Sequence, residues 1–188
     1  MNENVQVPQQ PASDQQEERH MDPQMLQLAI ERLRSEQNLL GGVIAGFVAA
    51  VIGSGVWAFV TVLTGYQIGW MAVGVGFLVG IAVRFTGKGI ERSFGVAGAL
   101  LALFGCLLGN LLTICYFIST SEKIGMFEVM ARLNPQLTFH LMKATFSPMD
   151  LLFYAIAVYE GYKLSSRRIS EQELFAATQT GAFQSEVV

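Results

Sequence analysis

The chain has 188 residues, of which 52% are apolar types and only 14% are charged, far below the roughly 25% charged content of a soluble domain. Its net charge of −3 comes from acidic tails around a nearly uncharged middle. No basic stripe with interleaved aromatics is present, which argues against nucleic acid as a partner.

The charge deficit is concentrated. No Asp, Glu, Lys, Arg or His occurs between Leu39 and Val83, nor between Ser93 and Ser121. These stretches read as a membrane core with hydrophilic ends, in an all-α protein.

Residues 1–20 carry Pro8, Pro11 and many Gln, Asn, Ser and Glu, a composition that cannot bury a core and predicts disorder. They lack the basic start and short apolar run of a cleavable signal, so this polar tail is expected to stay in the cytoplasm. Residues 21–38 read as a cytoplasmic amphipathic helix, with Asp22 as N-cap and Pro23 at the first helical position. Leu26, Ile30 and Leu33 recur at helical spacing, and Glu31, Arg32, Arg34 and Glu36 cover the other faces. Such a helix can lie on the headgroups, pair with itself or dock another protein. The first reading is preferred for a helix that leads into a span, and the periodic run is too short for a coiled coil.

Residues 39–168 are predicted to form a four-span domain, with spans at about 39–63, 68–85, 94–117 and 148–164. The first is long enough to cross a ~30 Å hydrocarbon layer and holds a G-x-x-x-G pair, Gly42 and Gly46. Thr64 to Gln67 then make a tight uncharged turn, which permits only an antiparallel helical hairpin. Tyr66 and Trp70 suit a headgroup-level aromatic belt. In the second span Gly76 and Gly80, with Gly74 close to the same stripe, offer a groove for close helix approach. Arg84, Lys88 and Arg92 follow as a basic cytoplasmic edge.

The third span sets Gly98, Gly105 and Gly109 on one stripe. Its Asn110 needs a partner for the side-chain amide and is expected to face another helix. Cys106 and Cys115 lie about 13 Å apart along one helix axis at 1.5 Å per residue, which excludes a disulfide between them. The first and third spans overlay, Ala45-Gly46-Phe47 to Gly53 on Ala97-Gly98-Ala99 to Gly105, as a parallel duplication of a hairpin would give. Chance similarity between apolar sequences is the plainer explanation.

Residues 119–146 break the apolar pattern and read as two interfacial helices meeting near Asn134-Pro135, an outer cap on the bundle. Ser147-Pro148-Met149-Asp150 is a helix start with capping-box spacing, leading into a fourth span that is short for the bilayer. Residues 169–188 form a polar C-terminal tail. Arg32, Arg34, Arg84, Lys88, Arg92, Lys163, Arg167 and Arg168 then share one side, against Lys123, Arg132 and Lys143 on the other. Both termini are therefore expected in the cytoplasm.

Few residues are candidates for chemistry. Glu160 is the one acid inside a predicted span, where proton or cation coupling is the functional meaning; pairing with Lys163 or Arg84 near the cytoplasmic edge is the preferred, structural one. Asn110, Tyr154 and Glu160 together are the candidate polar path. His140 stands alone, Gly87-Lys88-Gly89 lacks the spacing of a phosphate loop, and no catalytic or metal signature is present. Neither a metal, a cofactor nor an enzymatic activity is expected.

The segment Gly42 to Gly89, with Trp70-x-x-x-Gly74-x-Gly76-x-x-x-Gly80-x-x-Val83-Arg84-x-x-Gly87-x-Gly89, resembles a recurrent segment of uncharacterised bacterial inner-membrane proteins, some of which carry a soluble or metal-binding module ahead of it. The resemblance covers about a quarter of the chain. It implies a bacterial inner-membrane helical bundle and brings no activity. Taken together, the sequence predicts an integral membrane four-helix bundle with an N-terminal amphipathic helix and an outer interfacial segment. Its partners are the lipid bilayer and either further copies of itself or another membrane protein. A non-catalytic scaffold or accessory subunit is the first functional expectation, and a small oligomeric transporter or channel using Glu160 the second.

Overall fold

A computed structural model describes residues 23–66 and 68–167. The predicted disordered tail 1–20, the Asp22 cap, Gln67 and the C-terminal tail 169–188 lie outside them. The described residues belong to two units, one ending at Arg32 and the other running from Leu33 onward. Seven helices and no strand form among them: α1 Pro23–Ser35, α2 Leu39–Thr64, α3 Trp70–Gly87, α4 Arg92–Glu122, α5 Met126–Arg132, α6 Pro135–Thr145 and α7 Pro148–Ser165.

Local chemistry sets the ends of these helices. Asn38 caps α2 by accepting from Gly41 N–H at 2.8 Å, and α2 stops where Gly65 enters the left-handed region at φ 69°, the cheapest residue for that turn. α4 runs five residues beyond the expected end of the third span, because nothing breaks it until Lys123 adopts φ 55° just before Gly125. At 31 residues it is about 46 Å long, more than a hydrocarbon layer requires. Asn134 caps α6, and at the start of α7 the Ser147 and Asp150 side chains satisfy each other's backbone N–H groups in a capping box.

α2, α3, α4 and α7 pack together, and the residues facing each glycine give the direction of each pairing. Gly42 meets Gly87, Gly46 meets Val83 and Gly53 meets Val75, so α2 and α3 are antiparallel. Gly46 also touches Leu101, Ala50 touches Gly105, and Trp57 touches Gly109, which sets α2 and α4 parallel. By the same reading α3 lies parallel to α7, through Gly76 on Ala157 and Gly80 on Gly161 and Leu164, while Gly98 on Ser165 and Ala102 on Gly161 set α4 antiparallel to α7. These are the pairings a duplicated hairpin entails. The packing is not two-fold, however: the α3 and α4 backbones approach each other across the middle, whereas those of α2 and α7 do not.

The shared core is made of small and medium side chains, Ala50, Ala72, Val79, Val83, Ala102, Cys106 and Ala157, with Trp57, Phe94 and Tyr154 as its large members. This is the composition that a lipid surrounding favours, because lipid gives helices no hydrophobic reason to associate and close approach of backbones takes its place. Large apolar residues point outward instead, as with Ile44, Val48, Phe59, Leu100 and Leu151.

The loop after α3 ties the ends of the packed helices together. Gly87 C=O accepts from Asn38 N–H at 3.0 Å, and Gly89 C=O accepts from Arg167 N–H at 2.8 Å. Arg34 Nε stands 3.0 Å from Glu91 Oε1. The chain therefore enters and leaves the packed helices at one end, beside Arg84, Lys88 and Arg92.

Candidate functional site

Two side-chain groups stand out, a polar cluster in the core and a basic groove at the loop end. In the first, the Ser54 hydroxyl on α2 reaches the Ala50 carbonyl at 2.6 Å and the Gly105 carbonyl of α4 at 2.8 Å, its one proton serving either. Elsewhere in the core, Thr61, Thr113 and, towards the loop end, Ser165 donate back to the carbonyls four residues earlier, at 3.0, 2.9 and 2.5 Å. Tyr154 Oη donates to Cys106 C=O at 3.4 Å, and its ring meets Trp57 edge-on with centroids 6.3 Å apart. Trp57 and Tyr154 thus bridge the two helices whose backbones do not meet.

Trp57 is 1% exposed, and its indole N–H has no hydrogen-bond partner among the described residues. An unmet buried donor costs about 1–3 kcal/mol. Asn110 is fully buried one turn beyond Cys106 on α4, at the same end of the core as Trp57 and Tyr154.

Glu160 stands apart from this cluster. It lies six residues beyond Tyr154, about 9 Å along the helix axis, at partial exposure and towards the loop end. Neither of its expected partners forms an ion pair with it among the described residues. Lys163 sits over the Tyr159 ring at 5.4 Å instead. The structure thus brings Asn110 and Tyr154 to one level of the core and leaves Glu160 at another.

The predicted packing glycines sit at crossings. A Cβ on Gly76 would run into the Ala157 carbonyl and lie 2.7 Å from its Cα, and one on Gly80 would be 2.7 Å from Leu164 Cβ. Gly98 faces the Gly161 carbonyl at 2.5 Å, Gly105 faces Val75 and Ala50, and Gly109 faces the Trp57 ring. Gly42 and Gly46 lie against α3 as described above. Gly74, read as near the same stripe as Gly76, has nothing within 4 Å of the Cβ position and faces away.

The second group is a groove of about 560 Å³ between α3 and α7, which Arg84, Lys88 and Arg167 line together with Phe77, Ile81 and Leu164. Arg92 is exposed at the start of α4 and does not line it. The sequence reading took Arg84 and Lys88 as an orientation signal and missed their meeting with Arg167, 79 residues further on than Lys88, because only the parallel packing of α3 on α7 brings them together. Trp57 was missed as well. A tryptophan in mid-span rather than at a belt was the available signal.

In class, the described residues form an all-helical protein, and among them three helices, α2, α3 and α4, are long and apolar enough to cross a membrane. α6 and α7 pass the same test only as a pair, bent by 108°. No group of three His, Cys, Asp or Glu side chains that could hold a metal ion occurs among the described residues. No family model, curated protein or solved structure matches the chain.

Proposed function

We propose that the chain is a non-catalytic integral membrane protein, a scaffold or accessory subunit of a membrane complex. In this reading α7 is the fourth span, the chain sits in a bacterial inner membrane, and both tails face the cytoplasm. The observation that carries it is the filled interior. Gly42 on Gly87, Gly76 on Ala157 and Gly98 on Gly161 bring backbones together along three seams, and the buried hydroxyls are turned back onto carbonyls. A conducting path needs polar groups in line along a space, whereas here Glu160 lies away from Tyr154.

The orientation rests on charge. Arg84, Lys88, Arg92, Lys163 and Arg167 cluster at the loop end, which is the pattern of a cytoplasmic edge. At the other end α5 and α6 pack on α4 and turn large apolar side chains outward, Phe127 at 89% exposure and Phe139 at 66%. Such side chains suit contact with another protein or with the headgroup layer.

Native mass spectrometry of the protein, gently extracted from its own host membrane, tests the proposal. A second chain retained at fixed stoichiometry is expected. A homo-oligomer alone, with vesicle flux of an ion or solute that Glu160→Gln abolishes, would overturn it in favour of a small transporter.

A further inference from the structure

The groove between α3 and α7 has the chemistry of an amphiphile site. Phe77, Ile81, Arg84 and Phe85 follow one another at helical spacing on α3, and Lys88 is its left-handed C-cap, so this side of the groove runs from apolar to basic. From Phe77 to the end of α3 at Gly87 the helix rises about 15 Å, close to half of a ~30 Å hydrocarbon core. The opposite wall is formed by Leu164 of α7 and by Arg167 just beyond the end of that helix, again an apolar residue followed by a basic one. The apolar wall is open, with Phe77 at 52% and Phe85 at 77% exposure. Among the described residues neither Arg84 nor Lys88 forms an ion pair.

Three cations above a leaflet-deep apolar wall match a phosphodiester above acyl chains. Guanidinium groups take phosphate oxygens in pairs and an ammonium adds a point charge. Basic pockets between spans at the cytoplasmic side are where anionic headgroups are held. A free phosphate or a soluble nucleotide would leave Phe77, Ile81 and Phe85 unused. We infer that this groove binds an anionic phospholipid of the cytoplasmic leaflet, with its phosphate at Arg84, Lys88 and Arg167 and an acyl chain along Phe77 and Ile81. This rests on the membrane orientation given under Proposed function.

The test uses the full chain in mixed micelles, with retained lipid read by native mass spectrometry. The probes are phosphatidylglycerol and phosphatidylcholine of identical acyl chains, glycerol phosphate and inorganic phosphate. Phosphatidylglycerol should be retained at least roughly tenfold more strongly than phosphatidylcholine, and Arg84→Gln with Lys88→Gln should remove that preference. Both side chains are exposed, so the variant is expected to fold. Arg92→Gln with Lys163→Gln, an equal loss of charge outside the groove, should keep the preference.

Equal retention of the two lipids by the unaltered chain would overturn the inference, as would an unchanged preference in the groove variant. Equally strong binding of inorganic phosphate or glycerol phosphate would also overturn it and make this a soluble-anion site. A chain that stays in the aqueous phase without detergent would refute the membrane reading itself, whereas a membrane-bound chain with no lipid preference would refute only the site.

Discussion

At the scale of single residues, two glycines two positions apart on α3 have opposite roles. Gly76 meets the Ala157 backbone, which cannot move aside as a flexible side chain would, while Gly74 faces open space. Gly76→Ala should therefore push α3 and α7 apart and destabilise the protein by about 1–3 kcal/mol, the range for overpacking. Gly74→Ala should be neutral or stabilising by up to ~1 kcal/mol, since alanine is the better helix former. Thermal denaturation of the two variants in detergent checks this, and equal melting temperatures would remove the seam argument. Helix periodicity alone sets the two on nearly opposite sides, since two residues turn a helix by about 200°; what the sequence leaves open is which side the partner covers.

At the scale of elements, α7 is the helix whose reading as a span has least support from its own composition. Asp150, Glu160 and Lys163 lie within it, and its start depends on the capping box formed by Ser147 and Asp150 rather than on an apolar run. Ser147→Ala is expected to cost about 1 kcal/mol, read as a lowered melting temperature with slower exchange lost first at the backbone amides of Met149 and Asp150. Unchanged exchange at those amides would show that packing alone fixes the helix start. The cap was legible in the sequence because its chemistry is local. The extra length of α4 was not, because apolarity marks where lipid begins and ends, while the helix continues through Ser119 to Glu122 until Lys123 turns left-handed. Within that extension the Thr120 hydroxyl is satisfied by donating to Tyr116 C=O at 3.0 Å.

At the scale of the whole molecule, the prediction concerns sidedness. Reporter fusions after Lys88 and after Arg167 should both give the cytoplasmic signal, and a fusion after Gly125 the outer one; α7 lying along the surface would instead put the Gly125 and Arg167 fusions on the same side. Helical class, the hairpin turn and the basic edge could all be read from the order of residues, because each depends on neighbours in the chain. The candidate sites could be read only in part. Arg84 and Lys88 were visible, but their union with Arg167, and of Trp57 with Tyr154, depends on contacts between segments some 80 to 100 residues apart, which no local pattern encodes.

The hydrogen bonds to the Gly87 and Gly89 carbonyls also bear on biosynthesis. The Asn38 bond can form as soon as the first two long helices have been made, whereas the Arg167 bond waits until the final helix is in place. A chain interrupted before that helix would leave the small-residue faces of α3 and α4 open and the Gly89 carbonyl without its donor. An unfinished copy would thus differ from a finished one by vacant grooves within the bilayer, which lipid tails can occupy, rather than by newly exposed greasy surface in water. In the membrane reading proposed above, a system that recognises unfinished copies would have to sense that difference inside the membrane.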